Sequence, residues 1–232
     1  MPMIDIPTLE HDGTFGAWLS GPSGMPRGAI VVIQEIFGVN EGIRRKCDHW
    51  AGLGYLAIAP DLFWRLRPGI ELDPDVPDEF QQALAYMGKF NQDQGIRDIE
   101  ATIRAARSHL PAGGKVGAVG YCLGGRLAYM TAARTDVDAT VGYYGVNLDM
   151  LLGEKHAIAH PLLLHIAGAD HFVTPDKQKI IHEGLDDHPR VTIHDYPGVD
   201  HGFAAEMDNR RSEDAAQLAD GRTEAFFGET LV

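Results

Sequence analysis

The stretch of sequence that decides the fold is Gly117-Ala-Val-Gly-Tyr-Cys-Leu-Gly-Gly125. It joins an apolar strand, predicted over residues 116–120, to an amphipathic helix predicted over residues 124–133. Gly120 and Gly124 flank Cys122, because strand and helix approach each other closely at a tight turn. Such a turn exposes the sulfur at the amino end of the helix, where the helix dipole favours a thiolate. The stretch therefore predicts a nucleophilic cysteine on a strand-turn-helix unit.

The spacing Gly-x-Cys-x-Gly resembles the nucleophile elbow of the α/β-hydrolases, with cysteine in place of serine. A structural cysteine beside a tight turn is the competing interpretation. The match of five motif positions and both flanking elements favours the nucleophile. A dinucleotide-binding loop is the second alternative, but Gly117, Gly120 and Gly124 lack the spacing Gly-x-Gly-x-x-Gly.

The remaining chain alternates between apolar runs and amphipathic segments. The predicted strands span residues 4–9, 14–19, 28–33, 55–59, 116–120, 139–144, 162–167 and 191–196, and Asp12-Gly13 predicts a hairpin between the first two. The predicted helices span residues 41–53, 93–110, 124–133 and 175–184, with one more before residue 93 and a last one from Ser212. This order predicts the α/β-hydrolase fold, a mostly parallel central sheet with helices on both faces, in a single domain over residues 1–232.

The composition narrows the classes of function. With 44% hydrophobic and 23% charged residues, the 232-residue chain can bury a full core. Its net charge of −13 argues against binding to nucleic acid or to an anionic membrane. Neither a transmembrane run nor a secretory signal is expected from the sequence. Two cysteines, Cys47 and Cys122, are too few for a disulfide framework, so we expect a cytoplasmic protein.

An acid and a histidine follow the cysteine in the order that α/β-hydrolases use. Asp170 comes directly after the predicted strand 162–167, and His201 lies in a glycine-rich loop after the strand 191–196. Asp200 is a rival acid, but adjacent residues on an extended loop tend to point apart. We therefore expect Cys122, His201 and Asp170 to form a catalytic triad.

The first buried strand runs into Gln34-Glu35-Ile36-Phe37-Gly38. In α/β-hydrolases this loop supplies one oxyanion donor, so the backbone N–H groups of Ile36 and Leu123 are expected to form the oxyanion hole. Glu35 is expected near the sulfur, where its charge would oppose ionisation of the thiol. Pairing with Arg44 or Arg126 is the alternative role for Glu35. His156 and His160 have a spacing that a metal could use, but no further ligand completes the pair, so no metal site is expected.

Together these features resemble the dienelactone hydrolase family over almost the whole chain. The matching segments are Gln34-Glu35-Ile36-Phe37-Gly38, Ala59-Pro60-Asp61-Leu62-Phe63, Gly120-Tyr121-Cys122-Leu123-Gly124-Gly125, Gly142-Tyr143-Tyr144-Gly145, Asp170 and His201-Gly202-Phe203. The resemblance implies a cysteine triad in which Glu35 holds the Cys122 thiol until substrate binds. It implies attack on the carbonyl of a small, dienelactone-like enol lactone, an acyl-enzyme, and release by water, without cofactor or metal.

The sequence departs from the family at the residues that bind the carboxylate of the substrate. Dienelactone hydrolases hold this group with arginines, one of them shortly after the histidine, where this chain has Phe203-Ala204-Ala205-Glu206. The candidates that could substitute are Arg65, Arg67, Arg126, Arg210 and Arg211. The expected aromatic pocket walls are Trp64, Tyr86, Tyr143, Tyr144 and Phe203.

Two other functions remain open from the sequence. The first is a general carboxylesterase or thioesterase with the same chemistry. The second is a non-catalytic binding protein of the same fold, against which the complete triad argues. The expected partner is a small-molecule ester or lactone, bound by a monomer or a small homo-oligomer.

Overall fold

The computed structural model describes residues 3–207 and 209–231. Within them, eight strands form one sheet in the order β1-β2-β4-β3-β5-β6-β7-β8. The strands are β1 Met3–Pro7, β2 Thr14–Ser20, β3 Ala29–Ile33, β4 Leu56–Pro60, β5 Val116–Tyr121, β6 Ala139–Tyr143, β7 Leu162–Ala167 and β8 Val191–Tyr196. The helices are α1 Glu41–Gly52, α2 Pro77–Lys89, α3 Gln92–Ser108, α4 Leu123–Arg134, α5 Pro175–Leu185 and α6 Glu213–Thr230.

The sheet is parallel from β4 to β8, and only β1 and β2 run antiparallel to their neighbours. Alternate residues of the central strands point to opposite faces of the sheet. Because both sets of side chains are apolar, helices cover both faces. Val31 and Ala118 pack with α3 and α4 on one face, whereas Val32 and Val119 pack with α1 and α6 on the other. These observations confirm the predicted fold class.

The link between β1 and β2 differs from the two-residue hairpin turn that Asp-Gly suggests. The loop spans residues 8–13, and the hydroxyl of Thr8 donates to Asp12 at 2.7 Å. His11 adopts a φ of 57°, and its N–H donates to the carbonyl of Thr8. The strands pair as predicted, but side-chain hydrogen bonds make the turn longer.

The segment between β4 and α2 packs against the loop that follows β3. Gly38 forms an isolated bridge with Glu71, and Leu72 donates to the carbonyl of Phe37 at 2.9 Å. A Cβ at Gly38, whose φ is 77°, would lie 1.8 Å from the carbonyl oxygen of Ile70. The loop after β3 is therefore held in place from outside the sheet.

His156 lies in a short 3-10 helix, Leu152–Ala157, and both His156 and His160 are exposed. Among the described residues, no helix is long and apolar enough to cross a membrane.

Candidate active site

Cys122 occupies a strained turn between β5 and α4. Its φ is 57° and its ψ is −113°, a combination that residues with a side chain rarely adopt. The neighbouring glycines explain how the chain makes this turn. A Cβ at Gly120 would lie 1.9 Å from the oxygen of Gly124, and a Cβ at Gly124 would lie 2.4 Å from the oxygen of Ile33. Only glycine fits at both positions, and the turn has the geometry of a nucleophile elbow.

Asp170 and His201 meet at the carboxyl ends of the neighbouring strands β7 and β8. The Nδ1 atom of His201 lies 2.8 Å from Oδ2 of Asp170, and both side chains are almost fully buried. The other oxygen of Asp170 accepts the N–H groups of Phe172 at 2.8 Å and Val173 at 3.2 Å. The carboxylate is therefore fixed by its own turn, and its contact with Nδ1 fixes the orientation of the imidazole ring.

The Nε2 atom of His201 is buried and has no hydrogen-bond partner within residues 3–207 and 209–231. His201 and Cys122 line the same cavity. A buried polar atom without a partner is costly, and such atoms occur at functional sites. In this conformation the thiol of Cys122 therefore does not donate to Nε2 of His201.

Several groups set the ionisation of the Cys122 thiol. Burial raises its pKa most, and the carboxylate of Glu35 raises it further. The N–H of Leu123 and the charge of Arg210 act in the opposite direction but do not outweigh burial, so the pKa lies well above its usual range. The thiol is consequently neutral near pH 7 in the absence of substrate.

Glu35 is half-buried and lines the cavity together with Ile36 and Cys122. The two arginines that could have paired with it bond to other groups. Arg44 donates to the carbonyl of Val39 and pairs with Glu71. Arg126 donates to Gln92 at 2.6 Å and to the carbonyl of Asn147 at 2.8 Å.

The two backbone groups expected to form the oxyanion hole belong to two different segments near Cys122. Leu123 is the first residue of α4, and its N–H hydrogen-bonds the thiol. Ile36 belongs to the loop after β3 and lines the cavity. Gln34 anchors that loop, because its side-chain oxygen accepts the N–H of Leu62 at 3.0 Å.

The cavity above Cys122 holds about 220 Å³ and is mainly apolar. Phe80, Leu84 and Met87 of α2 form one wall, and Phe172 forms another. Among the residues that the structure describes, the lining consists of Glu35, Ile36, Phe37, Phe80, Leu84, Met87, Cys122, Val146, Asn147, Phe172, Lys177, His201 and Arg210. The sequence does contain a signal for the α2 wall, since positions 80, 84 and 87 lie on one helical face.

The aromatic residues expected as pocket walls are not among the residues that line this cavity. Trp64 stacks on Phe15 and donates to Asp98 at 3.0 Å, and Tyr86 stacks on Phe63. Tyr143, Tyr144 and Phe203 are buried. The ring of Tyr144 packs edge-on against the imidazole of His201, with the two ring centroids 5.0 Å apart. All five aromatic side chains belong to the two core clusters or pack against them instead.

The candidate arginines lie in different parts of the structure. Arg65 forms an ion pair with Asp98, and Arg211 bonds to Glu206 and Glu213. Arg67 is exposed. Of the five candidates, Arg210 lines the cavity, and Lys177 of α5 joins it there.

Within residues 3–207 and 209–231, one group of side chains has an arrangement that could hold a metal ion, namely Asp170, His171 and Asp200. Asp170 bonds to His201, and His171 donates from Nδ1 to Asp200 at 2.8 Å. An ion at this place would have to break both contacts. These atoms are therefore better described as a hydrogen-bonded network.

Comparisons with known proteins agree with this geometry. The model of the Dienelactone hydrolase family matches residues 15–231. A protein of Azospirillum brasilense is 44% identical over 233 residues, covering both chains completely. The carboxymethylenebutenolidase of Pseudomonas putida is 42% identical, covering 96% of this chain and 94% of its own. A solved structure from Klebsiella pneumoniae subsp. pneumoniae is 26% identical with a TM-score of 0.81, covering 98% of this chain and 99% of its own.

Proposed function

Because this chain belongs to the dienelactone hydrolase family, we propose that it hydrolyses the ester bond of a small lactone with Cys122 as the nucleophile. The observation that carries this proposal is the common cavity of Cys122, Ile36 and His201, above a strained elbow. The name carboxymethylenebutenolidase of the Pseudomonas putida relative supports a lactone substrate.

In the first step, the thiol of Cys122 turns into the cavity and loses its proton to Nε2 of His201. The thiolate attacks the lactone carbonyl, so a carbon–sulfur bond forms and the oxygen becomes an oxyanion. The N–H groups of Ile36 and Leu123 would stabilise this oxyanion. Collapse of the intermediate breaks the ring carbon–oxygen bond, and the leaving enolate or alkoxide takes the proton that Nε2 of His201 had accepted from the thiol.

In the second step, water hydrolyses the thioester on Cys122. His201 removes a proton from the water while the oxygen attacks the thioester carbonyl. The carbon–sulfur bond breaks, the carboxylic acid leaves, and the proton returns to the sulfur. A thioester intermediate suits substrates with good leaving groups, so enol and aryl esters should react faster than alkyl esters.

Glu35 is proposed to keep the thiol neutral until substrate binds. The buried site and the nearby carboxylate both favour the protonated form, so the pKa of Cys122 is high in the free enzyme. A neutral thiol is less prone to oxidation and to reaction with electrophiles than a thiolate. The reactive form would then exist mainly in the complex with substrate.

Lys177 and Arg210 are proposed to bind the negative charge of an anionic substrate. They are half-buried, they line an otherwise apolar cavity, and the chain carries a net charge of −13. The apolar wall formed by Phe80, Leu84 and Met87 would contact the carbon skeleton. A small lactone with a free carboxylate combines both properties.

The decisive experiment compares wild type with Cys122→Ala and Cys47→Ala on an aryl acetate, an aryl thioester and a set of enol lactones. We expect wild-type turnover that falls at least about 10³-fold in Cys122→Ala and remains in Cys47→Ala. Iodoacetamide should label Cys122 and abolish turnover, because Cys122 lines the cavity whereas Cys47 lies within α1 and does not line it. Preference for the thioester over all lactones would favour a thioesterase, and full activity of Cys122→Ala would refute the mechanism.

A further inference from the structure

We propose that Asp200 is a positioning residue that ties the loop carrying His201 to the turn carrying Asp170. The inference rests on the proposed function, in which His201 transfers the protons. The carboxylate of Asp200 would hold the imidazole of His201 at the distance and angle that its hydrogen bond to Asp170 requires. Asp200 would thus act through His201, without touching the substrate.

The contacts of Asp200 connect two segments that are far apart in sequence. Its Oδ1 accepts the backbone N–H of His201 at 2.6 Å and the backbone N–H of His171 at 3.0 Å. Nδ1 of His171 also lies 2.8 Å from Oδ1 and 2.9 Å from Oδ2. One carboxylate therefore binds the residue after Asp170 and the histidine that Asp170 orients.

This link extends a row of bonds between the same two segments. Gly168 donates to the carbonyl of Tyr196, and Ala169 donates to that of Val199, each at 2.9 Å. These backbone bonds end one residue before Asp200. The side chain of Asp200 adds a hydrogen bond to the backbone of His201. Gly198 and Gly202, which flank these two residues, have positive φ angles. Because the two glycines give this loop additional conformational freedom, a hydrogen bond from Asp200 restricts the loop more than it would restrict one without glycines.

The aromatic contacts of His171 point to the same role. The rings of His171 and Phe172 lie 3.9 Å apart, and Phe172 meets His201 edge-on at 4.9 Å. Phe172 also lines the cavity. A change in the His171–Asp200 contact would therefore reach both the imidazole and one wall of the pocket.

The exposure of the His171 and Asp200 side chains indicates that this pair contributes little to the stability of the fold. The side chains of His171 and Asp200 are 51% and 46% exposed, whereas those of His201 and Asp170 are 2% and 1% exposed. Exposed ion pairs add little to the free energy of unfolding. Partial burial disfavours the charged form of Asp200, but the bonds from His171 and His201 outweigh it and lower the pKa of the carboxyl. Asp200 is thus a carboxylate near pH 7.

The experiment measures kcat, KM and melting temperature for Asp200→Ala and Asp200→Asn. We expect Asp200→Ala to lower kcat about 10- to 100-fold, because small displacements of a catalytic group have effects of this size. The melting temperature should change little, and kcat should fall by a larger factor than KM rises. Asp200→Asn should recover most of kcat, since its amide oxygen can still accept the N–H of His201. Equal losses in both variants, or an unchanged kcat in Asp200→Ala, would overturn the proposal.

The matched control is His182→Gln. His182 of α5 also bonds exposed carboxylates, those of Asp186 and Asp195, but it is not part of the cavity. It should keep the wild-type kcat. A control that lost as much activity as Asp200→Ala would show that any such exposed pair has this effect.

A second measurement does not depend on turnover. The Nδ1 proton of His201, hydrogen-bonded to Asp170, should give a low-field proton NMR signal that is assigned by its loss in His201→Gln. We expect this signal to broaden or disappear in Asp200→Ala and to persist in Asp200→Asn and His182→Gln. If wild type hydrolyses no ester, the proposed function fails, while this signal still tests the link. A sharp, unshifted signal in Asp200→Ala would refute it.

Discussion

His201 and Asp170 are joined through Nδ1 and Oδ2 at 2.8 Å, although they follow different strands and are separated by the whole of α5 and β8. The contact exists because β7 and β8 are parallel neighbours that end at the same edge of the sheet. Both side chains are shielded from water, which strengthens the electrostatic interaction between them.

Replacement of Asp170 by Asn should leave the fold intact and abolish most of the activity. The amide can present its NH2 group to Nδ1 and favour the wrong tautomer of His201. A similar change in serine–histidine–aspartate enzymes lowers kcat by roughly 10⁴-fold, and we expect a loss of this order with an aryl acetate. Asp195→Asn, at an exposed position of β8, is the control. A kcat within a few-fold of wild type in Asp170→Asn would contradict the triad.

Replacement of Glu35 by Gln should make the Cys122 thiol more reactive in the absence of substrate. The variant removes a carboxylate that raises the pKa of the thiol, so the thiolate fraction at a given pH increases. The measurement is the rate of iodoacetamide alkylation between pH 6 and 10, and the rate profile should move to lower pH. Glu35→Asp keeps the charge and serves as the control. A slower alkylation of Glu35→Gln would show that Glu35 promotes ionisation of the thiol.

Removal of the positive charges in the cavity should affect anionic substrates selectively. Arg210→Ala and Lys177→Ala are each expected to lower kcat/KM for a lactone with a free carboxylate by roughly 10- to 100-fold, because a bond to a charged group contributes about 1.5–3 kcal/mol. Its methyl ester should react almost as in wild type. Lys179→Ala, an exposed lysine of the same helix, is the control. Equal losses for acid and ester would argue against a charge-binding role.

The elbow should not tolerate a methyl group at Gly120. The added Cβ would lie 1.9 Å from the oxygen of Gly124, so strand and helix would have to separate. We expect Gly120→Ala to lower the free energy of unfolding by roughly 3 kcal/mol, measured by urea denaturation, and to reduce turnover. Gly228→Ala in α6, where no atom lies within 4 Å of the new Cβ, should be neutral or slightly stabilising. Equal stability of both variants would contradict the close approach.

Alkaline pH should destabilise the protein partly through Cys47. Burial raises the pKa of this thiol well above its usual range, and Asp48 adds to the effect. The folded protein therefore keeps a proton that the unfolded chain releases above about pH 8.5. Below that pH, ionisation of this thiol does not lower the free energy of unfolding. Above it, the free energy of unfolding falls by about 1.4 kcal/mol per pH unit. In urea denaturation at pH 7, 8.5 and 10, Cys47→Ala should lose less stability than wild type. Parallel losses would refute the assignment.

Much of the fold was predictable from the sequence because its signals are local. Apolar runs mark β3 and β5, and the glycines around Cys122 reveal a turn that only small residues can make. The family, confirmed by the match over residues 15–231, follows from short motifs in a fixed order. The order of Cys122, Asp170 and His201 also suggested a common edge of the sheet, since successive parallel strands end there.

Contacts between distant segments were decided only by the tertiary structure. Positions 80, 84 and 87 share one face of α2, but their spacing does not show that this face borders the cavity. Phe203 lies in a loop, whose sequence has no periodicity that would show its burial. Asp200 appeared in the sequence only as a rival to Asp170. Its bonds to His171 and His201 exist because β7 and β8 bring two loops within hydrogen-bonding distance. The sequence thus determined the elements and their order, and packing determined which side chains meet.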